Sequence, residues 1–266
     1  EGRSTPAVML EHLVAPDRAV NIPEFVNTKS SAIKRIREQF LDDVSFVRAG
    51  DEHFKAGDYN RAVGAYQKAL DLNPKNVKAH NNLGNALEMQ GKLTEAITHY
   101  TEVLRLNPND AKTHNNLGII LIRQDKLNKA IAHFTEALRL NPNDAITHNN
   151  LGNVLKRQGK LKEAVIHYTD ALRLNPNYAQ AHNNLGIALA RQGKLNDATV
   201  HFTEALRLNP NDAGTHNNLG IVLTKQYKFQ EAIAHFTEAL RIKPDWEQVR
   251  FNLNMALRQS KQRMSQ

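Results

Sequence analysis

The sequence contains no cysteine. Disulfides, thiolate metal sites and cysteine nucleophiles are therefore excluded, although cysteine-free proteins occur in reducing and oxidising compartments alike. Long apolar runs are also missing, since no stretch approaches the roughly 18 residues that indicate a membrane-spanning helix. With 41% hydrophobic and 23% charged residues, the composition is typical of a folded chain. The formal net charge of +8 favours acidic partners without indicating nucleic-acid binding.

Proline is scarce but regularly placed. Six of the nine prolines stand 34 residues apart, at Pro74, Pro108, Pro142, Pro176, Pro210 and Pro244. A fixed period of this length indicates stacked supersecondary units, and not one globular core. Aligned on the prolines, the units are 43–76, 77–110, 111–144, 145–178, 179–212 and 213–246.

Each unit reads as two helices. In 145–178, Leu151, Val154 and Leu155 form an apolar stripe, and Gly159 then supplies a residue that ends helices at little cost. A second stripe follows, and Pro176 stops it. Asp144 is a candidate N-cap. One such helical hairpin cannot bury its stripes alone, so we expect neighbouring hairpins to stack.

The positions of small and aromatic residues identify the repeat. Gly118, Ala130, Phe134, Ala137 and Pro142 resemble the tetratricopeptide repeat (TPR) signature, which recurs six times over 43–246. The resemblance implies an all-α, right-handed superhelical solenoid of six helical hairpins, with a capping helix over 247–266. The usual tryptophan of the first helix is replaced by Phe46 and then by histidine. The HNNLG sequence of the repeats is also similar to the repeats of the arrays attached to glycosyltransferases such as O-linked N-acetylglucosamine transferase. No catalytic domain accompanies it here, so the resemblance carries over the chemistry of the groove and not the activity. Neither a glycine-rich phosphate loop nor a GxSxG motif occurs, so we predict a chain that is not an enzyme and has no cofactor.

A polar column is expected on the ligand-facing surface. The face of the first helix opposite its apolar stripe resembles the concave, ligand-facing surface of TPR arrays. The sixth position on this face carries Asn82, Asn116, Asn150, Asn184, Asn218 and Asn252. Amides can hydrogen-bond the backbone of an extended peptide. The thirteenth position adds Arg123, Arg157, Arg191 and Lys225, which favour acidic ligands. The alternative is that these are ordinary solvated residues multiplied by duplication.

Ten of the twelve histidines form two columns. The first is His80, His114, His148, His182 and His216, and the second is His99, His133, His167, His201 and His235. Members of one column belong to helices about 8–10 Å apart, too far to share a zinc ion. Pairs between the two columns remain possible ligands. However, no carboxylate is expected at a supporting spacing and no HExxH motif occurs, so we predict packing and no metal site.

The first 42 residues do not fit the repeat. Residues 1–30 read as an extended arm, because three further prolines interrupt them, and 31–42 as a short N-terminal capping helix. The arm is apolar, at Val8, Met9, Leu10, Leu13, Val14, Ile22 and Phe25. It could rest on its own array, dock on a neighbouring copy or meet another protein. Since the chain starts at Glu1 and not at Met, an exported location (periplasm or cell surface) is slightly favoured over a cytoplasmic one.

Three functions remain open on the sequence. The first is a non-catalytic scaffold that binds an extended protein or peptide segment along the groove, with no nucleic acid and no membrane span. The second is a structural subunit of a homo-oligomer or filament assembled through the arm. The third is a TPR module of a glycosyltransferase-like system.

Overall fold

The protein is built from paired helices. The computed structural model describes residues 42–264, and every regular element in that range is an α-helix. The helices are α1 Asp43–Lys55, α2 Tyr59–Leu72, α3 Val77–Met89, α4 Leu93–Leu106, α5 Ala111–Arg123, α6 Leu127–Leu140, α7 Ala145–Arg157, α8 Leu161–Leu174, α9 Ala179–Arg191, α10 Leu195–Leu208, α11 Ala213–Lys225, α12 Phe229–Ile242 and α13 Glu247–Met264. They make six hairpins, numbered 1 to 6 from α1/α2 to α11/α12, followed by α13. The predicted all-α fold of six hairpins is confirmed.

Some of the predicted elements lie outside the described residues. The arm (1–30) lies outside, together with the apolar residues through which we expect it to assemble. The N-terminal capping helix (31–42) lies outside up to residue 41. Asp42 is described: its backbone is extended, and its side chain accepts a hydrogen bond from the Ser45 amide, so it caps α1. Over residues 42–264, no helix combines the length and hydropathy needed to cross a membrane.

The described residues form two compact units, divided after Ala79. The first contains hairpin 1, in which α1 packs on α2 around the buried Tyr66. The second runs from His80 through α13. Within it, each hairpin from 3 onward packs on the next, and one continuous core extends from Leu121 to Ala256.

An aromatic ring of the second helix lies against a glycine of the first helix in every hairpin. A Cβ added to Gly152 would stand 2.6 Å from the Tyr168 ring, far inside van der Waals contact. The pairs are Gly50/Tyr66, Gly84/Tyr100, Gly118/Phe134, Gly152/Tyr168, Gly186/Phe202 and Gly220/Phe236. The glycine of the repeat signature is therefore required by the close approach of the ring.

The two histidine columns meet inside the hairpins. His148 Nδ1 of α7 lies 3.1 Å from His167 Nδ1 of α8, and His148 Nε2 lies 3.2 Å from the Pro142 carbonyl oxygen. Because a carbonyl only accepts, His148 carries its proton on Nε2, and its Nδ1 accepts from the Nδ1–H of His167. The same Nδ1 contact, at 3.0 Å, joins His80/His99, His114/His133, His182/His201 and His216/His235. In hairpins 2 to 6, the first-helix histidine at the position of the usual tryptophan is thus paired with a histidine of the second helix.

The two helix ends predicted in hairpin 4 are observed, and the glycine position differs in two other hairpins. The Asp144 side chain accepts from the Ile146 amide, so it caps α7 as predicted. Gly159 ends the turn after α7 with a φ of 78°, in the left-handed region that glycine enters freely. At the same point of hairpins 3 and 6 the chain instead has Asp125, with a φ of 57°, and Tyr227, with a φ of 63°.

Candidate functional site: the first-helix face

The candidate site is a surface shared by the first helices. In the second unit, α5, α7, α9, α11 and α13 contact each other in sequence. We call first-helix face the surface that their sixth, ninth, twelfth and thirteenth positions form. It contains the asparagines of the sixth position, which we call the asparagine column. It also contains the cations of the thirteenth position, which we call the basic column; both were predicted from the sequence.

The asparagine column is a ladder of hydrogen bonds within the protein. Asn150 Nδ2 donates to Asn115 Oδ1 of the preceding hairpin at 3.1 Å. Equivalent bonds of 3.0 to 3.1 Å are Asn184 to Asn149, Asn218 to Asn183 and Asn252 to Asn217. Asn116 instead donates to Asn85 Oδ1 at 3.2 Å. These amides therefore join successive first helices, a role that the sequence did not predict.

The ladder leaves its members differently placed for a ligand. Each recorded bond uses one of the two N–H groups of an amide. Asn184 is 7% exposed and also accepts from Lys156 Nζ at 3.2 Å, so it is largely occupied by the protein itself. Asn82, in α3, and Asn116, Asn150, Asn218 and Asn252 are half-buried.

The basic column divides into two halves. Arg123 forms an ion pair with Glu88 at 3.1 Å. Burial raises the pKa of Glu88, and the Arg123 charge opposes that shift. Arg157 forms an ion pair with Asp125 at 2.7 Å and also donates to the Ile122 carbonyl. Arg191 and Lys225 are exposed and lie together on the wall of one cleft.

That cleft lies between α9 and α11. It has a volume of about 170 Å³ and is lined by Ile187, Ala190, Arg191, Phe202, Asn218, Ile221, Val222 and Lys225. Three of the predicted groove residues, Arg191, Asn218 and Lys225, are brought together there. Its apolar floor, Ile187 and Ile221, was not predicted. The signal was present in the ninth position, which is isoleucine in both hairpins.

The cleft has a third cation nearby. Lys156, on the neighbouring α7, is half-buried, and burial first and the Arg191 charge second lower its pKa. Removing an ammonium from water and placing it near another cation both disfavour its charged form. A carboxylate bound at Arg191 would offset that repulsion. The face therefore offers an apolar floor, an amide and cations to one ligand.

One feature of the histidine columns also escaped the sequence prediction. An acidic residue follows each second-helix histidine by three residues, at Glu102, Glu136, Asp170, Glu204 and Glu238. The expectation that no carboxylate recurs at a supporting spacing was wrong. In hairpin 4 the ligand atoms of His148, His167 and Asp170 all lie within 4.8 Å of one another.

Comparison with known proteins identifies the repeat family. A family model described as the cilia and flagella-associated protein 70 C-terminal domain, of TPR type, matches residues 27–255. The chain belongs to this family. It is thereby a TPR protein, as the resemblance implied. No significantly similar relative is found among the curated proteins.

Solved structures of TPR proteins share the fold. A chain of the APC/C hetero-tetramer Cut9–Hcn1 superposes with a TM-score of 0.72 at 22% identity, covering 86% of this chain and 46% of that one. This TPR chain therefore spans less than half of that relative. YrrB, described as a TPR protein with an unusual peptide-binding site, has a TM-score of 0.59 at 25% identity, over 74% of this chain and 98% of that one. MamA has a TM-score of 0.56 at 27% identity, over 62% of this chain and 96% of that one.

Proposed function

We propose that this TPR chain is a non-catalytic protein-interaction scaffold that binds an extended, acidic segment of a partner along the first-helix face. The observation that carries the proposal is the cleft between α9 and α11, where Arg191 and Lys225 flank an apolar floor. YrrB, whose description includes a peptide-binding site, supports peptide capture by this fold.

The geometry favours an extended ligand. Consecutive packed helices lie about 8–10 Å apart, and an extended chain advances about 3.3 Å per residue. About every third residue of the ligand would therefore meet equivalent groups of the next hairpin. An acidic side chain would pair with Arg191 or Lys225, and an apolar one would rest on Ile187 or Ile221. The second N–H of Asn218 would donate to the ligand backbone.

Selection from a displayed library of random peptides tests the proposal. We expect peptides enriched on the wild-type protein to carry more Asp and Glu than the input, because charge-assisted contacts favour carboxylates. The Arg191→Glu/Lys225→Glu variant should lose that enrichment. The control, Lys129→Glu/Lys162→Glu, changes the net charge equally at exposed lysines of second helices and should keep it.

Two results would count against this function. One is selection without acidic enrichment on the wild-type protein. The other is equal loss of enrichment in both charge-reversed variants. That result would indicate a general effect of net charge and no specific binding at the first-helix face. Self-association through residues 1–30 stays a separate prediction, tested by light scattering on the intact protein and on a chain lacking them.

A further inference from the structure

The histidine pair of hairpin 4 has the spacing of two metal ligands. His148 Nδ1 and His167 Nδ1 are 3.1 Å apart. Two nitrogens that each lie about 2.0–2.1 Å from one tetrahedral zinc ion are about 3.3 Å apart. Replacing the shared proton by an ion would therefore require the rings to separate by a few tenths of an ångström and to tilt, because a tetrahedral ion lies off the line between the two nitrogens.

The surroundings already orient the first ligand. The Pro142 carbonyl holds the Nε2–H of His148 and thereby keeps the lone pair on Nδ1, which points to His167. Histidine ligands of metals commonly donate their other N–H to such an acceptor. In the metal-bound state both imidazoles are neutral, and each directs its Nδ1 lone pair to the ion.

The third ligand distinguishes this hairpin from the other four with histidine pairs. In hairpin 5, both carboxylate oxygens of Glu204 are bound by Arg207 at 2.7 to 3.0 Å. The same arginine fork holds both oxygens of Glu102, Glu136 and Glu238. Asp170 is one methylene shorter, and Arg173 reaches it only through one contact of 3.4 Å. Its carboxylate is thus the least restrained of the five.

We propose that His148, His167 and Asp170 form a binding site for a divalent transition-metal ion of the zinc class. The site offers two imidazole nitrogens and one carboxylate oxygen, a donor set that suits zinc, and water would complete the coordination. On binding, the proton on His167 Nδ1 moves to its Nε2, so the pair loses no proton and both Nδ1 lone pairs face the ion. Because His148 belongs to α7 and the other two ligands to α8, the ion braces hairpin 4.

Calorimetric titration of the tag-free full chain with zinc chloride at pH 7.5 tests the site. We expect one ion per chain at the tight site. Asp170→Glu, which recreates the residue of the other hairpins, should weaken binding by about tenfold or more, and His167→Gln should abolish it. The matched control, His201→Gln, alters the equivalent histidine of hairpin 5 and should leave zinc affinity unchanged. Circular dichroism checks that each variant is folded.

A gain-of-site variant makes the test independent of any loss of folding. Glu204→Asp gives hairpin 5 the same ligands as hairpin 4, so the stoichiometry should rise from one ion to two. Thermal denaturation should show a rise in Tm with zinc that EDTA reverses, because a ligand of the native state stabilises it. Absence of binding at millimolar zinc, several equivalent ions on the wild-type chain, or unchanged affinity in Asp170→Glu would overturn the proposal.

Discussion

At the scale of single residues, the ninth position of each repeat matches the aromatic residue that follows it. Tyrosine of the second helix donates its buried hydroxyl to a polar ninth residue, as Tyr168 does to Asn153 at 2.8 Å. Tyr66 with Asp51 and Tyr100 with Asn85 repeat that bond. Where the aromatic residue is Phe134, Phe202 or Phe236, the ninth residue is Ile119, Ile187 or Ile221. A buried hydroxyl needs a partner, whereas a phenyl ring leaves the position free to be apolar.

The pairing predicts non-additive effects of substitution. Tyr168→Phe should lower the free energy of unfolding by about 1 kcal/mol, since it removes the hydroxyl and its bond to Asn153. The double variant Tyr168→Phe/Asn153→Ile recreates the pair of hairpin 3 and should recover part of that loss. Urea denaturation of the wild-type protein, Tyr168→Phe, Asn153→Ile and the double variant gives the coupling free energy between the two positions. We expect it to be about 0.5–1.5 kcal/mol. Strict additivity would show that the two positions do not interact.

Tyr227 predicts a stabilising substitution. Its φ of 63° is costly for a residue with a Cβ, and its side chain is 68% exposed. Tyr227→Gly should therefore raise the free energy of unfolding by about 1 kcal/mol, less what is lost at Phe229 and Arg263, which contact the ring.

Asp125→Gly is the comparison, at the same position of the repeat. Aspartate tolerates the left-handed region better, and the change would also remove the ion pair with Arg157, so a smaller gain or a loss is expected. Denaturation curves in which Tyr227→Gly is the less stable of the two variants would contradict the explanation by backbone strain.

At the scale of helices, the sequence predicted most of what the structure shows. The first helices begin at the start of each proline-aligned unit, and Asp144 and Gly159 mark the ends of α7 as expected. These features are local, so one residue type determines each of them. The meeting of the histidine columns could not be predicted in the same way, because it depends on how the two helices of a hairpin are rotated against each other.

The histidine pairs predict lower stability on acidification. In hairpin 5, burial first and His182 second lower the pKa of His201, while Asp197 raises it. Burial is also the main cause that lowers the pKa values of His99, His133 and His235. Because the folded pKa lies below the unfolded value near 6.5, the unfolded chain binds more protons as pH falls. This stability is present above about pH 6.5 and is lost as pH falls toward the folded pKa.

Denaturant titrations between pH 7.5 and 5 measure this effect, in a window where the carboxylate of Glu204, whose pKa the hydrogen bond from Arg207 lowers, stays mostly ionised. The free energy of unfolding should fall across the window. His201→Gln removes one titrating group while its amide can still donate to His182, so its slope should be shallower. Stability that is flat or that rises on acidification would contradict the inference.

At the scale of the whole molecule, the sequence predicted the site less completely than the fold. Repetition made Arg191 and Lys225 visible as members of a column, but it also made them equivalent to Arg123 and Arg157. The structure separates them, since Glu88 and Asp125 pair with the latter two. Likewise, the asparagine ladder was predicted as a set of ligand contacts, and its amides bond first to each other. Such pairings between hairpins depend on three-dimensional packing that a repeat pattern does not encode.

Binding of the partner segment at the first-helix face can be followed by NMR of the isoleucine methyl groups, recorded while an acidic peptide from the library selection is added. We expect the methyl signals of Ile187 and Ile221 to shift, while that of Ile166, exposed on the second helix α8, does not. Shifts confined to Ile166 and other second-helix isoleucines, with Ile187 and Ile221 unchanged at saturating peptide, would contradict it.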